Sequence, residues 1–179
     1  TAEAYAAHIA GVDIVGQRFD PWQEDWITIN PYFGLDGIKP FIDACNEHNK
    51  GVFILVKTSN PTSSQLQDLL VDSQPIYEKV AGLVSEWGTS APGSLGYNKI
   101  GAVVGATHKE QGERLRKLMP GTFFLVPGYG AQGATGEDLK GFFDRNGKGC
   151  IVNSSRGIIA AYQKDTRYTD DDYGEAARE

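Results

Sequence analysis

A glycine-rich segment is the most informative stretch of the sequence. It reads VPGYGAQGATG over residues 126–136 and lies between a strand-like run and a helix-like run. Glycine lets backbone N–H groups approach an anion without interference from a Cβ atom. The glycine spacing is GxGxxGxxG, and the lysine of a Walker sequence is absent. We predict a phosphate-binding loop that includes Pro127, Gly128 and Gln132, with a flexible connection as the alternative.

A second candidate anion site follows the next strand-like run. The sequence CIVN (150–153) leads into Ser155 and Arg156, and the short apolar run IIAAY (158–162) follows. Barrels of parallel βα units often bind phosphate with the loops after their last two strands and the N-terminus of a short extra helix. Arg156 could add a charge-assisted, bidentate contact. A surface arginine without a ligand is the alternative.

The elements that must position these loops alternate between short β-branched runs and longer helical patterns, which is typical of parallel βα units. Residues 11–23 and 89–97, rich in turn-forming residues, are predicted connections. The predicted strands are 26–30, 52–57, 100–105, 122–126 and 150–153. The predicted helices are 2–9, 36–49, 63–70, 75–87, 109–118, 137–146 and 157–162, and a further helix-like segment starts at 170.

Polar side chains directly follow nearly every predicted strand, as at Asn30, Ser59 and Thr107. A doubly wound sheet shares the βα alternation, but polar residues after each strand favour the active rim of a barrel. We therefore predict an α/β fold of the (β/α)8 TIM-barrel type, with about strands 4 to 8 in this chain. Because 179 residues are fewer than the roughly 250 of a complete barrel, we expect residues 1–179 to form a single domain that is a partial barrel, truncated at both ends.

Composition and charge exclude several classes of function. A net charge of -6 argues against nucleic-acid binding, because such surfaces concentrate Lys and Arg. The sequence contains no run of 18 apolar residues, which a membrane span would need, and it does not start like a leader peptide. A cytoplasmic location is therefore expected. Cys45 and Cys150 lack metal-ligand spacing and are predicted to be buried thiols in a reducing compartment.

Five runs of the chain, in order and spacing, resemble orotidine 5'-monophosphate decarboxylases of the longer bacterial type. The resemblance covers essentially the whole chain, and the GAQG and SRGI motifs are its most specific parts. The runs are ITINPYFGLD (27–36), FILVKTSNPTSSQLQDL (53–69), GAVVGAT (101–107), VPGYGAQG (126–133) and VNSSRGIIAAY (152–162).

The resemblance implies roles for individual residues. Ser59 resembles the serine that hydrogen-bonds the pyrimidine ring through its hydroxyl and backbone amide. Gln132 resembles the glutamine of the closing loop, which bridges the phosphate and the base. Arg156, with the backbone at Ser155, resembles the main phosphate anchor. Asn30 is expected to line the site, without an assigned contact.

Thr1 resembles the last residue of the family's Asp-x-Lys-x-x-Asp-Ile-x-x-Thr motif. The catalytic lysine and its flanking aspartates are therefore expected upstream of Thr1, and no catalytic residue is assigned within the chain. In the family this threonine reaches into the partner subunit's site, which implies a homodimer. A plain N-cap of the first helix is the other interpretation of Thr1.

The implied reaction converts orotidine 5'-monophosphate to uridine 5'-monophosphate (UMP) in pyrimidine biosynthesis, with no cofactor and no metal. Orotidine and uridine 5'-monophosphates are the expected ligands. Two alternatives stay open. The chain could be a catalytically incomplete phosphate- or nucleotide-binding half-barrel, expected to be inactive alone, or part of another phosphate-binding barrel such as a related sugar-phosphate decarboxylase or a biosynthetic isomerase.

The other titratable and aromatic residues give weaker signals. The three histidines, His8, His48 and His108, lack partners at triad spacing and are expected at the surface or at helix ends. The aspartate run 170–172 is interpreted as a helix start rather than a metal site. Trp22, Trp26 and Trp87 are expected to serve packing.

Overall fold

Strands and helices alternate along most of the chain. The computed structural model describes residues 1–130 and 133–179. The elements within these ranges are α1 (Ala2–Ala10), β1 (Val12–Ile14), β2 (Gln17–Phe19), β3 (Trp26–Ile29), α2 (Leu35–His48), β4 (Gly51–Lys57), α3 (Ser64–Gln67), β5 (Leu70–Val71), β6 (Gln74–Pro75), α4 (Ile76–Gly88), β7 (Asn98–Val104), α5 (Lys109–Leu118), β8 (Thr122–Pro127), α6 (Gly136–Leu139), β9 (Cys150–Asn153), α7 (Ser155–Ile159) and α8 (Tyr173–Ala176). Short 3-10 turns cover Pro61–Ser63, Lys140–Phe142, Ala161–Lys164 and Asp170–Asp172.

In the described residues, five of the strands form one parallel sheet in the order β3-β4-β7-β8-β9. These are the five strands that the sequence predicts. Each strand lies beside the one that precedes it among the five, so the order never reverses, as it would at the switch point of a doubly wound sheet. The α/β fold, with a parallel sheet as in part of a (β/α)8 barrel, is therefore confirmed.

The main core lies between the sheet and the helices that cover it. The strand β4 reads GVFILVK and is buried at nearly every position, as expected for a parallel strand covered on both faces. In α4, Tyr77, Ala81 and Val84 are buried at helical spacing, and α4 packs on β4 and β7. Apolar periodicity thus attaches α4 to the sheet through one face.

Aromatic rings cluster near the amino ends of the strands. The Trp26 ring stacks on Phe53 at 4.5 Å, and Phe123 lies 6.3 Å from Phe53. A Cβ atom at Gly51 would collide with the Trp26 ring, and one at Gly101 would lie 2.7 Å from the Phe53 ring. Glycine at both positions therefore makes room for the aromatic layer, which lies at the opposite end of the strands from the polar rim.

Two segments contain strands that the sequence does not predict. Residues 11–23, predicted as a connection, include the antiparallel pair β1 and β2. Both strands are short and largely exposed, so they carry no burial pattern to reveal them. The helix predicted at 63–70 ends at Gln67, because β5 turns back to pair with β6.

Two later helices differ in length from the prediction. The helix predicted at 137–146 ends at Leu139 and is followed by the turn Lys140–Phe142, after which Asp144 Oδ1 accepts hydrogen bonds from the N–H groups of Asn146 and Lys148. The helix predicted at 157–162 begins earlier, at Ser155, and ends at Ile159. None of the helices in the described ranges combines the length and hydropathy that a membrane crossing requires.

Candidate functional site

A pocket of about 150 Å³ lies where the chain leaves β8 and β9. Pro127 pairs with Asn153 in the parallel register, so the two loops leave the same edge of the sheet. Of the predicted site residues, the structure brings Pro127, Gly128, Ser155 and Arg156 together around this pocket. The loops that follow two neighbouring strands thus line one small pocket.

Left-handed backbone shapes the first wall of the pocket. Gly128 and Gly130 have φ values of 105° and 70°, which residues with a Cβ rarely adopt. The Gly130 N–H donates to the carbonyl of Ala134 at 3.0 Å and closes the loop on itself. Gln132, the predicted bridge between phosphate and base, lies outside the described residues.

The helix after the glycine-rich loop begins with a capping box. The Thr135 hydroxyl and N–H both donate to Asp138 Oδ2, at 2.6 and 3.0 Å. These hydrogen bonds, foremost the one from the hydroxyl, hold the pKa of the Asp138 carboxyl below its usual range. The box fixes the point at which the loop ends and α6 starts.

The second wall is joined to the first by a side chain. Ser154 Oγ donates to the carbonyl of Tyr129 at 3.1 Å, and a Cβ at Gly157 would collide with the same Oγ. Arg156 follows with an exposed side chain at the pocket. A flexible cation beside a backbone-lined pocket can hold an anion such as a phosphate.

Ser59 and Asn30 lie at the same carboxyl edge of the sheet, after β4 and β3. The carbonyl of Ser59 accepts a hydrogen bond from Thr107 Oγ1 at 3.2 Å. A Cβ atom at Gly105 would lie 2.7 Å from the Ser59 nitrogen, so glycine permits this close approach of the two rim loops. Asn30 Oδ1 accepts from the N–H of Tyr32 at 2.8 Å and shapes the turn after β3.

Thr1 is not brought to this pocket. It lies at the N-cap of α1, where its side chain makes no capping hydrogen bond, and it lines a separate open cleft of about 540 Å³ with Tyr5, His8 and Trp22. The His8 ring stacks on Trp22 at 4.3 Å. Trp22 is 51% exposed, so its packing is against the surface rather than in the core.

Several residues near the rim were missed by sequence reasoning. Tyr129, Asn153 and Ser154 line the pocket, and their position next to a strand end was the available signal. Lys57 ends β4 with no exposed surface, and its Nζ lies 2.7 Å from Asp68 Oδ1. No sequence signal marks this pair, because Asp68 lies eleven residues further along the chain.

The remaining titratable groups agree with helix-end and packing positions. His108 lies at the N-cap of α5, and burial, assisted by the charge of Lys57, lowers its pKa. Thr169 and Asp172 form a capping box at the aspartate run. In residues 1–130 and 133–179, no three His, Cys, Asp or Glu side chains are grouped as a metal site would need.

Known proteins resemble the chain over most of its length. Residues 4–169 match the family model described as Orotidine 5'-phosphate decarboxylase / HUMPS family. An orotidine 5'-phosphate decarboxylase of Caldicellulosiruptor saccharolyticus is 50% identical over 164 residues, which are 91% of this chain and 54% of the relative. The enzyme of that name from Rhodopirellula baltica is 46% identical and covers 92% of this chain.

Solved structures share the fold. A UMP synthase of Leishmania donovani superposes with a TM-score of 0.76 at 34% identity, covering 99% of this chain and 34% of that one. The present chain spans about half the length of the curated relatives it matches, 54% in the two cases above.

Proposed function

The chain belongs to the orotidine 5'-phosphate decarboxylase / HUMPS family, and we propose that it supplies the phosphate- and base-binding side of an orotidine 5'-monophosphate decarboxylase. The observation that carries this proposal is the single pocket formed by Pro127, Gly128, Ser155 and Arg156 at the carboxyl edge of the parallel sheet. Ligands of parallel βα barrels bind at this edge.

In this proposal the pocket holds the 5'-phosphate. Arg156 donates to phosphate oxygens, and the backbone at Gly128 and Ser155 contributes N–H groups. Gln132 bridges the phosphate and the base. The phosphate is remote from the carbon that loses CO2, so its binding energy can orient the substrate and exclude water at the reacting end.

The pyrimidine lies toward the neighbouring strands. Ser59 hydrogen-bonds the ring through its hydroxyl and N–H, and Asn30 lines the same rim. These groups bind and orient the nucleotide. We assign no catalytic residue within the chain, and in this proposal the reaction needs neither metal nor organic cofactor.

Calorimetry with two phosphates tests this function. The chain should bind UMP more tightly than ribulose 5-phosphate, because only UMP offers a ring to Ser59. The family description also covers HUMPS proteins, so a sugar-phosphate enzyme is the second candidate. Tighter binding of ribulose 5-phosphate would favour that candidate, and binding of neither ligand would contradict both.

We also propose that the protein acts as a cytoplasmic homodimer. Tyr5 and Trp22 are 63% and 51% exposed beside Thr1, where an apolar partner surface could cover them. Both cysteines are free thiols, as expected in a reducing compartment. Sedimentation equilibrium should show a dimer that Tyr5→Glu weakens and that Leu95→Glu, at another exposed apolar residue, leaves intact.

A further inference from the structure

The segment that follows β4 is held by side chains from α3 and the residue after it. Gln67 Oε1 accepts the N–H of Thr58 at 3.0 Å, and Gln67 Nε2 donates to Thr58 Oγ1 at 2.8 Å. Thr58 Oγ1 in turn donates to Asn60 Oδ1 at 2.6 Å. The Gln67 side-chain amide therefore hydrogen-bonds both the backbone and the side chain of Thr58, the residue directly before Ser59.

A buried ion pair anchors the same segment one residue earlier. Lys57 has no exposed surface, and its Nζ donates to Asp68 Oδ1 at 2.7 Å. Gln111 Nε2 approaches the same oxygen at 3.3 Å, and the Tyr77 ring lies 5.7 Å from the ammonium. A buried charge is strongly destabilising unless it is paired, so the contact with Asp68 holds the Lys57 side chain in one position.

The opposite side of the segment is also fixed. The N–H of Gly105 donates to the Lys57 carbonyl at 2.7 Å, and Thr107 Oγ1 donates to the Ser59 carbonyl at 3.2 Å. The sheet register shifts between Leu55 and Lys57, so the end of β4 departs from regular strand pairing just before Ser59. The side-chain contacts of Gln67 and Asp68 add to the backbone contacts that hold this segment.

We propose that Gln67 and the Lys57–Asp68 pair are positioning residues that set where Ser59 presents its hydroxyl and N–H to the pyrimidine. This inference rests on the proposed function. It adds that selectivity for the base depends on residues that touch neither the base nor the phosphate. A group held at a fixed position contributes more to recognition than one that must be ordered upon binding.

The test separates base recognition from phosphate binding. Calorimetric affinities for UMP and for ribose 5-phosphate are measured in the full natural polypeptide that carries this sequence. We expect Gln67→Ala to lower UMP affinity about tenfold and to leave ribose 5-phosphate affinity within about twofold. Gln65→Ala, an exposed glutamine of the same helix, should change neither affinity.

Two further variants make the test specific. Asp68→Asn removes the charge partner of Lys57 and should also reduce the affinity ratio between UMP and ribose 5-phosphate. In a Ser59→Ala background, Gln67→Ala should lower UMP affinity by a smaller factor, because the positioned hydroxyl is gone and only the backbone N–H remains. A melting temperature for every variant, together with retained ribose 5-phosphate binding, verifies that the protein is folded.

The outcomes distinguish the two levels of proposal. If Ser59→Ala abolishes the preference for UMP while Gln67→Ala and Asp68→Asn preserve it, the positioning role is wrong and the proposed function stands. The positioning role is also wrong if Gln67→Ala lowers the affinities for UMP and ribose 5-phosphate by equal factors. It is likewise wrong if Gln67→Ala lowers UMP affinity as much in the Ser59→Ala background as in the wild type. A wild-type protein that does not prefer UMP over ribose 5-phosphate overturns both.

Discussion

At the scale of single residues, Arg156 carries the largest predicted effect on phosphate binding. Arg156→Ala removes a charged donor, and hydrogen bonds to charged groups contribute about 1.5 to 3 kcal/mol, so affinity for UMP should fall roughly 10- to 150-fold. The proposed function predicts a corresponding loss in kcat/KM for decarboxylation. Titration calorimetry and steady-state kinetics measure the two effects.

A matched arginine provides the control. Arg145 is exposed in the turn before β9, away from the residues that line the pocket. Arg145→Ala should leave UMP affinity within about twofold, because surface substitutions away from a site usually have small effects. Equal losses in the two variants would indicate a general electrostatic effect and contradict the assignment of Arg156.

The sequence allowed prediction of some rim residues better than others. Pro127, Gly128 and Arg156 were identifiable because glycine and arginine after a strand have a direct physical meaning. Lys57 and Gln67 were not, because their partners Asp68 and Thr58 lie nine or more residues away. No periodic pattern marks such pairs, and only the folded turn brings them together.

At the scale of elements, Arg116 joins three parts of the fold. This buried guanidinium of α5 stacks 3.6 Å from the Phe124 ring. It donates to backbone carbonyls of Phe142, Met119, Thr122 and Gly149 at 2.8 to 3.0 Å. A single side chain thus connects α5 with the starts of β8 and β9, whose far ends carry the loops that we propose bind phosphate.

Removing this side chain should strongly destabilise the protein. Arg116→Ala leaves several carbonyls without a donor, and we expect a loss of roughly 3 to 5 kcal/mol in the free energy of unfolding. Lys117→Ala, an exposed position of the same helix, should cost under about 0.5 kcal/mol. Urea denaturation of both variants measures this, and similar midpoints would contradict the structural role of Arg116.

The turn before β9 should make stability depend on acid pH. The Tyr97 hydroxyl donates to Asp144 Oδ2 at 2.5 Å, and this bond, helped by backbone N–H donors, lowers the pKa of Asp144 to about 2. An unfolded aspartate titrates near 3.9. The stabilisation is therefore present above about pH 4 and is lost as the pH falls toward 2, because the unfolded chain binds the proton first.

Replacing the tyrosine tests that dependence. Tyr97→Phe keeps a ring beside Phe123 but removes the hydroxyl, so the pKa of Asp144 should rise toward its ordinary value. The urea midpoint of the variant should then fall less between pH 5 and pH 2.5 than that of the wild type. An unchanged pH dependence would contradict the contribution of this hydrogen bond.

Element prediction succeeded where burial imposes a pattern. The strand β4 was recognisable because its residues are apolar and nearly all buried. The pair β1 and β2 was not, since each strand has only three residues and all of them except the partly buried Val12 are exposed. The helix predicted to start at residue 137 begins one residue earlier, at Gly136, and its end was not predictable because the following turn depends on the hydrogen bonds of Asp144.

At the scale of the whole molecule, the strand order explains why distant segments can share one ligand. The five strands of the described parallel sheet follow their order along the chain, so each loop after a strand opens at the same edge. Residues 30, 59, 128 and 156 are far apart in sequence but lie along this edge. The aromatic layer around Phe53 fills the other end and leaves the rim for binding.

A crystal structure of the protein with bound UMP tests the central claim most directly. We predict that the phosphate lies between the loop at Gly128 and the guanidinium of Arg156, with oxygen to nitrogen distances of roughly 2.7 to 3.2 Å. The pyrimidine should extend toward Ser59. A phosphate bound elsewhere, or a ring directed away from Ser59, would contradict the account.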